Sequence, residues 1–438
     1  MITYLVNIFK KAELRQRIIF TLGMLFVYRI GTAITIPAVN GDVLTQGFST
    51  TGIFGIMNLL GGGSLERFSL FSLGVTPYIT ASIIIELLSM DVIPVLSDWK
   101  KEGETGRKKK DKVTRYVTVV LGAIQGLSLT YAFDNAYGLL THSNLATYLY
   151  VTIIMVAGAM LAMWMGDQIT SKGIGNGISL LIFAGIVANM PASFIETARS
   201  MITVTGVEIT TTLLGVLNYL IFIILYLLII VFVVYNEGAV RKISINYASS
   251  SNPMMRTRDT THMPIKINSA GVIPVIFATS VMSTPLTIIS FLEENNVTTT
   301  ISHIFDYASY PGAFVLYLIL IVLFTFFYAN MQIDAKKISD DLKKSNASIP
   351  GVRQGKETEN YIKRVLNRIT VMGAIFLVII AAIPIALPVI WPVAADVSAQ
   401  IRLGGTGLII VAGVALETVR QIDAYLTRRE YKGYIRKG

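Results

Sequence analysis

The chain contains no cysteine, which excludes disulfide bonds, thiol catalysis and thiolate metal sites together. Its three histidines, His142, His262 and His303, lie far apart and follow no metal-ligand pattern. The glycines of "GIGNG" (173–177) lack the Lys-Ser/Thr of a phosphate-binding loop, and they precede an apolar run rather than follow a strand. No Ser/His/Asp arrangement appears either. These absences argue against an enzyme, a cofactor and a metal site.

Charge is also scarce. Only 15% of the 438 residues are charged, against about 25% in a typical soluble domain, whereas 53% are hydrophobic and the mean hydropathy is +0.61. The first 17 residues are polar and basic and lead into an apolar run without a small-residue cleavage site, so we expect no separate signal peptide. This composition indicates a polytopic membrane protein.

Apolar runs of about 20 residues, the length that crosses a bilayer, recur along the chain. A shorter tenth run lies near 75–91, and an even number of spans places both termini on the same side. The nine longer spans are predicted near 18–38, 116–134, 146–166, 177–195, 212–236, 269–290, 312–332, 369–391 and 403–421.

The distribution of basic residues predicts the orientation. Of the 37 Lys and Arg residues, 33 lie at the termini or in the loops on one side of the predicted spans. Because basic residues concentrate in cytoplasmic loops, both termini are predicted to be cytoplasmic. The net charge of +10 therefore belongs to the cytoplasmic face, which could bind ribosomal RNA or, alternatively, anionic lipid.

Ionisable residues deep inside the spans, which ion-coupled carriers need, are nearly absent. Arg29 lies within the first span, whereas Glu86, Asp167, Glu237 and Glu417 fall near cytoplasmic ends where water can reach them. This pattern disfavours a proton- or sodium-coupled carrier and leaves a passive pore, a scaffold, or a channel powered by another protein.

The cytoplasmic loops differ from one another. The charge run "KKEGETGRKKKDKVTRY" (100–116) is on its own typical of a solvated tether. Residues 237–268 contain β-branched and turn-like segments that predict a hairpin. Residues 333–368 predict a charged helix, a Pro-Gly turn that displays Arg353, and a second helix start. Two structured basic protrusions on one face favour a docking surface over ordinary linkers.

One apolar stretch is too short and too broken to cross a membrane. In "IMNLLGGGSLERFSLFSLG" (56–74), three glycines interrupt the run and a charged pair follows. Non-helical backbone at membrane depth is tolerated only inside protein or beside a water-filled cavity. Either the stretch lies in such a place within the protein, or it is a re-entrant or interfacial loop.

Six strings, in order and with compatible spacing over nearly the whole chain, resemble the SecY/Sec61α family of protein-conducting channels. The resemblance implies an all-α polytopic fold of ten transmembrane helices in two pseudo-symmetric five-helix halves, around an hourglass pore with a short plug helix. The strings are "FVYRIGTAITIP" (26–37), "SLGVTPYITASIIIELL" (72–88), "KKEGETGRKK" (100–109), "GDQITSKGIGNGISLLIFAGIV" (166–187), "KINSAGVIPVIFA" (266–278) and "LGGTGLIIV" (403–411).

The resemblance also implies a division of the chain into two halves between cytoplasmic termini. The segments are an N-terminus (1–17), an N-terminal half (18–195) with a plug (55–70) and a basic loop (92–115), an external hinge loop (196–211), a C-terminal half (212–421) with cytoplasmic loops 237–268 and 333–368, and a C-terminal tail (422–438).

A pore ring of aliphatic residues is implied as well. Such a collar excludes water and ions yet offers no fixed hydrogen bonds to a passing chain. Two pairs of its members are spaced i, i+4 and so project from one helix face. The ring residues are Val75, Ile79, Ile178, Ile182, Ile276 and Ile410.

The resemblance further places a lateral gate at Thr80, Gln125 and Asn176, whose polar side chains would bond across a helix seam. Ordinary interhelical bonding is the alternative. The short stretch described above becomes the plug, a stopper folded back against the ring. Its residues are Met57, Asn58, Leu59, Leu60, Gly61, Gly62, Gly63, Ser64, Leu65, Glu66 and Arg67.

The partners are likewise implied by the family. Arg353 matches a loop-tip arginine where the ATPase SecA or the ribosome docks, with Arg241, Lys242, Arg256 and Arg258 on the neighbouring loop. SecE and SecG would be companion subunits, and signal sequences, unfolded preproteins and membrane lipid would be bound in the bacterial cell membrane. A solute carrier, a scaffold or insertase, and an accessory paralogue with few substrates are the competing hypotheses.

Overall fold

The structure is a computed structural model, and it describes residues 11–40, 58, 61–89, 93–202, 209–247, 261–289, 295–307, 309–390 and 398–427. Within these residues the chain is predominantly helical. The helices are α1 (Ala12–Gly31), α2 (Thr76–Leu88), α3 (Pro94–Lys101), α4 (Glu104–Tyr137), α5 (Leu145–Lys172), α6 (Gly177–Met201), α7 (Ile209–Gly238), α8 (Ile273–Ile289), α9 (Asn296–Phe305), α10 (Pro311–Gln332), α11 (Ala335–Lys344), α12 (Lys356–Ile390) and α13 (Ser398–Thr427). The strands are β1 (Val240–Tyr247), β2 (Thr261–Lys266) and β3 (Ala347–Ser348).

Six helices in the described part of the chain, α4, α5, α6, α7, α10 and α12, are long and apolar enough to cross a membrane. The shorter apolar helices α2 and α8 match two further predicted spans, and α1 and α13 match the first and last in position. The predicted all-α polytopic membrane fold is therefore confirmed. The count of ten transmembrane helices stays a prediction.

Helix α1 ends earlier than predicted. It stops at Gly31 rather than near residue 38, and the following residues pair with the segment after the glycine run. The Ile36 amide donates to the Phe68 carbonyl at 3.1 Å, and the Leu70 amide donates to the Ile34 carbonyl at 3.0 Å. These bonds satisfy backbone groups that a longer helix would have satisfied internally.

The charge run 100–116 is not a tether, because helix α4 already begins at Glu104 and continues into the apolar span. Lys110 forms an ion pair with Glu86 of α2, and Arg115 forms one with Asp167 of α5 at 2.9 Å. Helix α3 contacts α4 so closely that a methyl group at Gly106 would meet the Trp99 carbonyl. Because these charged side chains form ion pairs with neighbouring helices, α4 continues as a helix through the charge run and beyond the apolar span.

The chain divides into two compact units. The first comprises residues 1–196, 283–301 and 410–438, and the second comprises residues 197–282 and 302–409. The division into halves 18–195 and 212–421 around an external hinge stays a prediction.

One buried cluster of the first unit lies where the non-helical segment after the glycines meets α4 and α5. Phe68 contacts Phe133 edge to face, with ring centroids 5.8 Å apart. A methyl group at Gly158 of α5 would collide with the Leu70 carbonyl, so the two backbones are in close contact. The cluster consists of Ile36, Leu65, Phe68, Leu73, Leu129, Phe133, Leu139, Leu140, Val151, Met155 and Ala159.

In the second unit the two long predicted cytoplasmic loops fold together. Strands β1 and β2 pair antiparallel, which confirms the predicted hairpin, and β3 adds to β1 in the order β2-β1-β3. Helix α11, the Pro350–Gly351 turn and the start of α12 confirm the prediction for 333–368. Their shared apolar core is formed by Ile243, Ile245, Ile265, Ala335, Leu342, Ala347, Ile349, Ile362 and Ile369.

Candidate functional site: a glycine turn held against helices

The glycine run forms a tight turn whose conformation requires glycine. Gly62 and Gly63 have φ of +74° and +79°, in the left-handed region that side chains disfavour. Asn58 closes the turn, because its carbonyl accepts from the Gly63 amide at 2.8 Å and its Oδ1 accepts from the Glu66 amide at 3.0 Å. The backbone here is hydrogen-bonded without being a transmembrane helix.

The turn lies directly against helix α6. A methyl group at Gly62 would lie 2.7 Å from the Cα of Gly185, and one at Gly63 would lie 3.0 Å from the Asn189 Nδ2. Only residues without side chains allow two backbones to approach this closely. The described residues of the turn are therefore seated on α6 by close backbone contact.

Arg29 of α1 contacts the same turn. Its Nη1 donates to the Gly62 carbonyl at 2.6 Å, and its Nη2 donates to the Asn189 Oδ1 at 3.5 Å. Thr32 lies beside the arginine and accepts from Nη1 at 3.4 Å. One side chain thus joins α1, the turn and α6.

The residues that follow the turn are bound more firmly. Leu65, Phe68, Phe71 and Leu73 are each at most 1% exposed. The Ser64 hydroxyl donates to the Phe71 carbonyl at 2.8 Å. These four side chains therefore anchor the segment 64–73 in the buried interior of the first unit.

The predicted ring residues of α6 share a helix face with the seat of the turn. Ile178, Ile182, Gly185 and Asn189 are spaced by four, three and four residues, and this spacing places them along one stripe. With a rise of about 1.5 Å per residue, Gly185 lies about 4.5 Å along the axis from Ile182. The turn contacts α6 on the face, and within one helical turn, of the predicted constriction.

The remaining ring residues are placed as follows. Val75 precedes α2 and is 3% exposed, and Ile79 lies one turn further along that helix at 5%. Ile178 is half-buried, with its Cγ1 close to Gly166 of α5. Ile276 is buried on α8 in the second unit, and Ile410 is buried on α13 in the first. Their common role as a ring stays a prediction.

The three predicted gate residues do not bond to one another. The Thr80 hydroxyl of α2 lies 3.3 Å from that of Thr284 on α8, a partner that the sequence reasoning missed. Gln125 is 1% exposed, and its side-chain amide has no partner among the described residues. Asn176 caps α6, since its Oδ1 accepts from the Ile178 amide at 3.2 Å.

The predicted docking residues that the structure describes are exposed. Arg241 and Lys242 lie on β1, and Arg353 lies in the turn before α12. The Arg353 guanidinium has no partner among the described residues, whereas the turn itself is bonded, with the Ser339 hydroxyl donating to the Gly355 carbonyl at 2.8 Å. The predicted site residues Met57, Leu59, Leu60, Arg256 and Arg258 lie outside the described residues.

These features first define a class: a multi-pass α-helical membrane protein that carries a glycine turn held against its own helices. A family model, SecY, matches residues 69–419. The protein translocase subunit SecY of Bacillus licheniformis is 43% identical over 433 residues, covering 98% of each chain, and that of Bacillus subtilis is 42% identical with the same coverage. The chain belongs to the SecY family, and it is a channel protein rather than an enzyme.

Solved structures share this fold at low identity. A protein-conducting channel aligns with a TM-score of 0.62 and 17% identity, over 94% of this chain and 92% of the other. A SecY protein whose plug domain is described as stabilising the closed state and maintaining a membrane seal aligns at 0.59 and 19%, with the same coverage. The yeast Ssh1 complex bound to the 80S ribosome aligns at 0.62 and 14%, over 93% and 90%.

The residues that hold the turn could not be predicted from the sequence. Gly185 and Asn189 carried no signal by themselves, although they continue the i, i+4 and i+3 stripe of Ile178 and Ile182. Arg29 did carry a signal, because an arginine inside a span needs a partner. Its partner is a backbone carbonyl, which no sequence pattern marks.

Proposed function

We propose that the chain is the central pore-forming subunit of a Sec translocon in the bacterial cell membrane, with both termini cytoplasmic. Unfolded secretory proteins would cross through it, and signal or transmembrane segments would leave sideways into lipid. SecA or the translating ribosome would supply the driving force, and SecE and SecG would be companion subunits. The chain itself needs no cofactor or metal for this function.

The single observation that carries the proposal is the seating of the glycine turn beside Ile182. A stopper must lie directly next to the constriction that it closes, and the turn contacts the stripe of α6 that includes Ile178 and Ile182. We propose Val75, Ile79, Ile178, Ile182, Ile276 and Ile410 as the constriction. A dewetted aliphatic ring and a stopper together would hold back ions at rest.

Within the plug segment, we propose that the movable part ends near Gly63. The glycines can change conformation without strain, whereas Leu65 is fully buried and Ser64 is bonded to Phe71. Residues 64–67 would then remain in place when the channel opens.

The gate and the docking surface follow from exposed or weakly bonded polar groups. The hydroxyl pair Thr80–Thr284 is a neutral contact between α2 and α8, and the weakness of such a bond supports a seam that opens readily. Arg241, Lys242 and Arg353 offer unburied cations on a folded β-sheet unit, which supports docking of SecA or of ribosomal RNA.

The test is reconstitution of the chain with SecE and SecG in proteoliposomes, followed by SecA, ATP and a preprotein. We expect protease-protected preprotein that requires both SecA and ATP. The variant Arg353→Glu should reduce protection, whereas Lys344→Glu, an exposed cation of α11, should not. Absence of protection with every component active would overturn the proposal. Uptake of a small solute without preprotein would favour a carrier, and protection of only a few preproteins would favour an accessory paralogue.

A further inference from the structure

We infer that Arg29 is the positioning residue that holds the glycine turn in its seat. The inference rests on the proposed role of the turn as a stopper and adds the residue that retains it. Arg29 lies in the last turn of α1, and its Nη1 donates to the Gly62 carbonyl at 2.6 Å. This bond joins a charged donor to the residue that also touches Gly185 of α6.

Among the described residues, the arginine has no other strong partner. Its contacts are the Gly62 carbonyl, the Thr32 hydroxyl at 3.4 Å and the Asn189 amide oxygen at 3.5 Å. None of the ion pairs among the described residues includes Arg29. A half-buried guanidinium that lacks a carboxylate depends on neutral acceptors for compensation, and the carbonyl of the turn is the nearest.

The geometry also explains why the acceptor is a backbone group. A carbonyl that points at α1 while its own residue touches α6 requires a turn with positive φ and no side chain, and Gly62 provides both. The Thr32 hydroxyl donates to the Arg29 backbone carbonyl at 2.8 Å, and this bond places the hydroxyl where it also accepts from the guanidinium. The turn is thus held between a donor on α1 and a flat site on α6.

A turn that is held in its seat by one charge-assisted hydrogen bond can still be released from it. Such a bond shifts an equilibrium by about one to two powers of ten, which is sufficient to favour the seated state at rest. It remains small enough for a bound signal segment to overcome. The apolar core that holds residues 64–73 would not release on this scale.

The experiment measures seating and sealing separately in the full-length chain, reconstituted with SecE and SecG. Since the chain has no cysteine, Gly61→Cys provides a single thiol at the buried turn. In this background Arg29→Met should increase the rate of labelling by a membrane-impermeant maleimide about tenfold or more, and resting ion leak should rise with it. Arg199→Met, which removes an exposed arginine near the end of α6, should change neither.

Arg29→Lys keeps the charge but loses the planar fork, so its labelling rate should lie between those of the parent and Arg29→Met. The labelling rate of Arg29→Lys tests the inference if Arg29→Met fails to fold.

A labelling rate equal to that of the parent in a folded Arg29 variant overturns the inference. If labelling accelerates but deletion of residues 57–63 leaves the vesicles sealed, Arg29 holds the turn and the stopper role is wrong. If the deletion leaks but Arg29→Met does not, the stopper stands and Arg29 does not retain it.

Discussion

The turn (Asn58 and residues 61–63) and the segment after it (residues 64–73) are neighbours in sequence but are held by different forces. None of the described residues of the turn has an apolar side chain, and their contacts are a few polar bonds and close backbone contact with α6. The segment after it places four large side chains in the core. Apolar burial scales with area, which makes the second segment an anchor and leaves the first removable.

The largest effect is expected when the anchor is weakened. Phe68→Ala removes a fully buried ring that contacts Phe133, and it should lower the free energy of unfolding by about 3–5 kcal/mol. Thermal unfolding in detergent measures this change. Tyr116→Ala, at a ring that is 63% exposed on α4, is the control and should be close to neutral. A neutral Phe68→Ala would show that residues 64–73 are no anchor.

An intermediate effect is expected at the turn. Gly62→Ala would place a methyl group 2.7 Å from the Gly185 Cα, so the turn should fail to seat and resting ion leak should rise by about tenfold or more. Unfolding should change far less than for Phe68→Ala. Leak through reconstituted vesicles is the measurement.

Gly103→Ala is the matched control for that variant, because Gly103 has a similar φ of +71° and open space around it. It shares the positive φ without the collision. Equal leak from both variants would mean that strain, and not contact with α6, causes the effect.

The smallest effect is expected at the polar contact between α2 and α8. Thr80→Val removes the hydroxyl bond to Thr284, worth about 0.6 kcal/mol, and should favour the open gate about threefold. Translocation of a preprotein with a weakened signal sequence measures this change. Thr118→Val removes a hydroxyl that donates within its own helix, to the Thr114 carbonyl at 2.7 Å, and should have no such effect.

Much of the fold could be predicted because hydropathy and turn chemistry are local. The long apolar runs, the hairpin and the Pro-Gly turn before α12 were all readable from neighbouring residues. The predictions were wrong where contacts between residues distant in sequence determine the ends of a helix. Helix α1 stops at Gly31 because residues 34–36 pair with 68–70, and α4 extends through a charge run because Glu86 and Asp167 neutralise part of it.

At the candidate site, too, some features could be predicted from neighbouring residues and others only from contacts in the structure. The spacing of Ile178 and Ile182 predicted one face of α6, but not that Gly185 and Asn189 on that face receive the turn. Asn176 was predicted as a gate residue, and the structure adds that it caps α6. Thr284 became visible only through its contact with Thr80.

By itself, the sequence determined that this is a membrane protein, because apolar runs of about 20 residues are stable mainly as membrane-spanning helices. It also determined that the apolar run interrupted by three consecutive glycines does not form an ordinary membrane-spanning helix. Only the tertiary structure decided what holds those glycines. The Arg29 guanidinium and the Gly62 carbonyl are 33 residues apart, and a backbone acceptor leaves no trace in residue type.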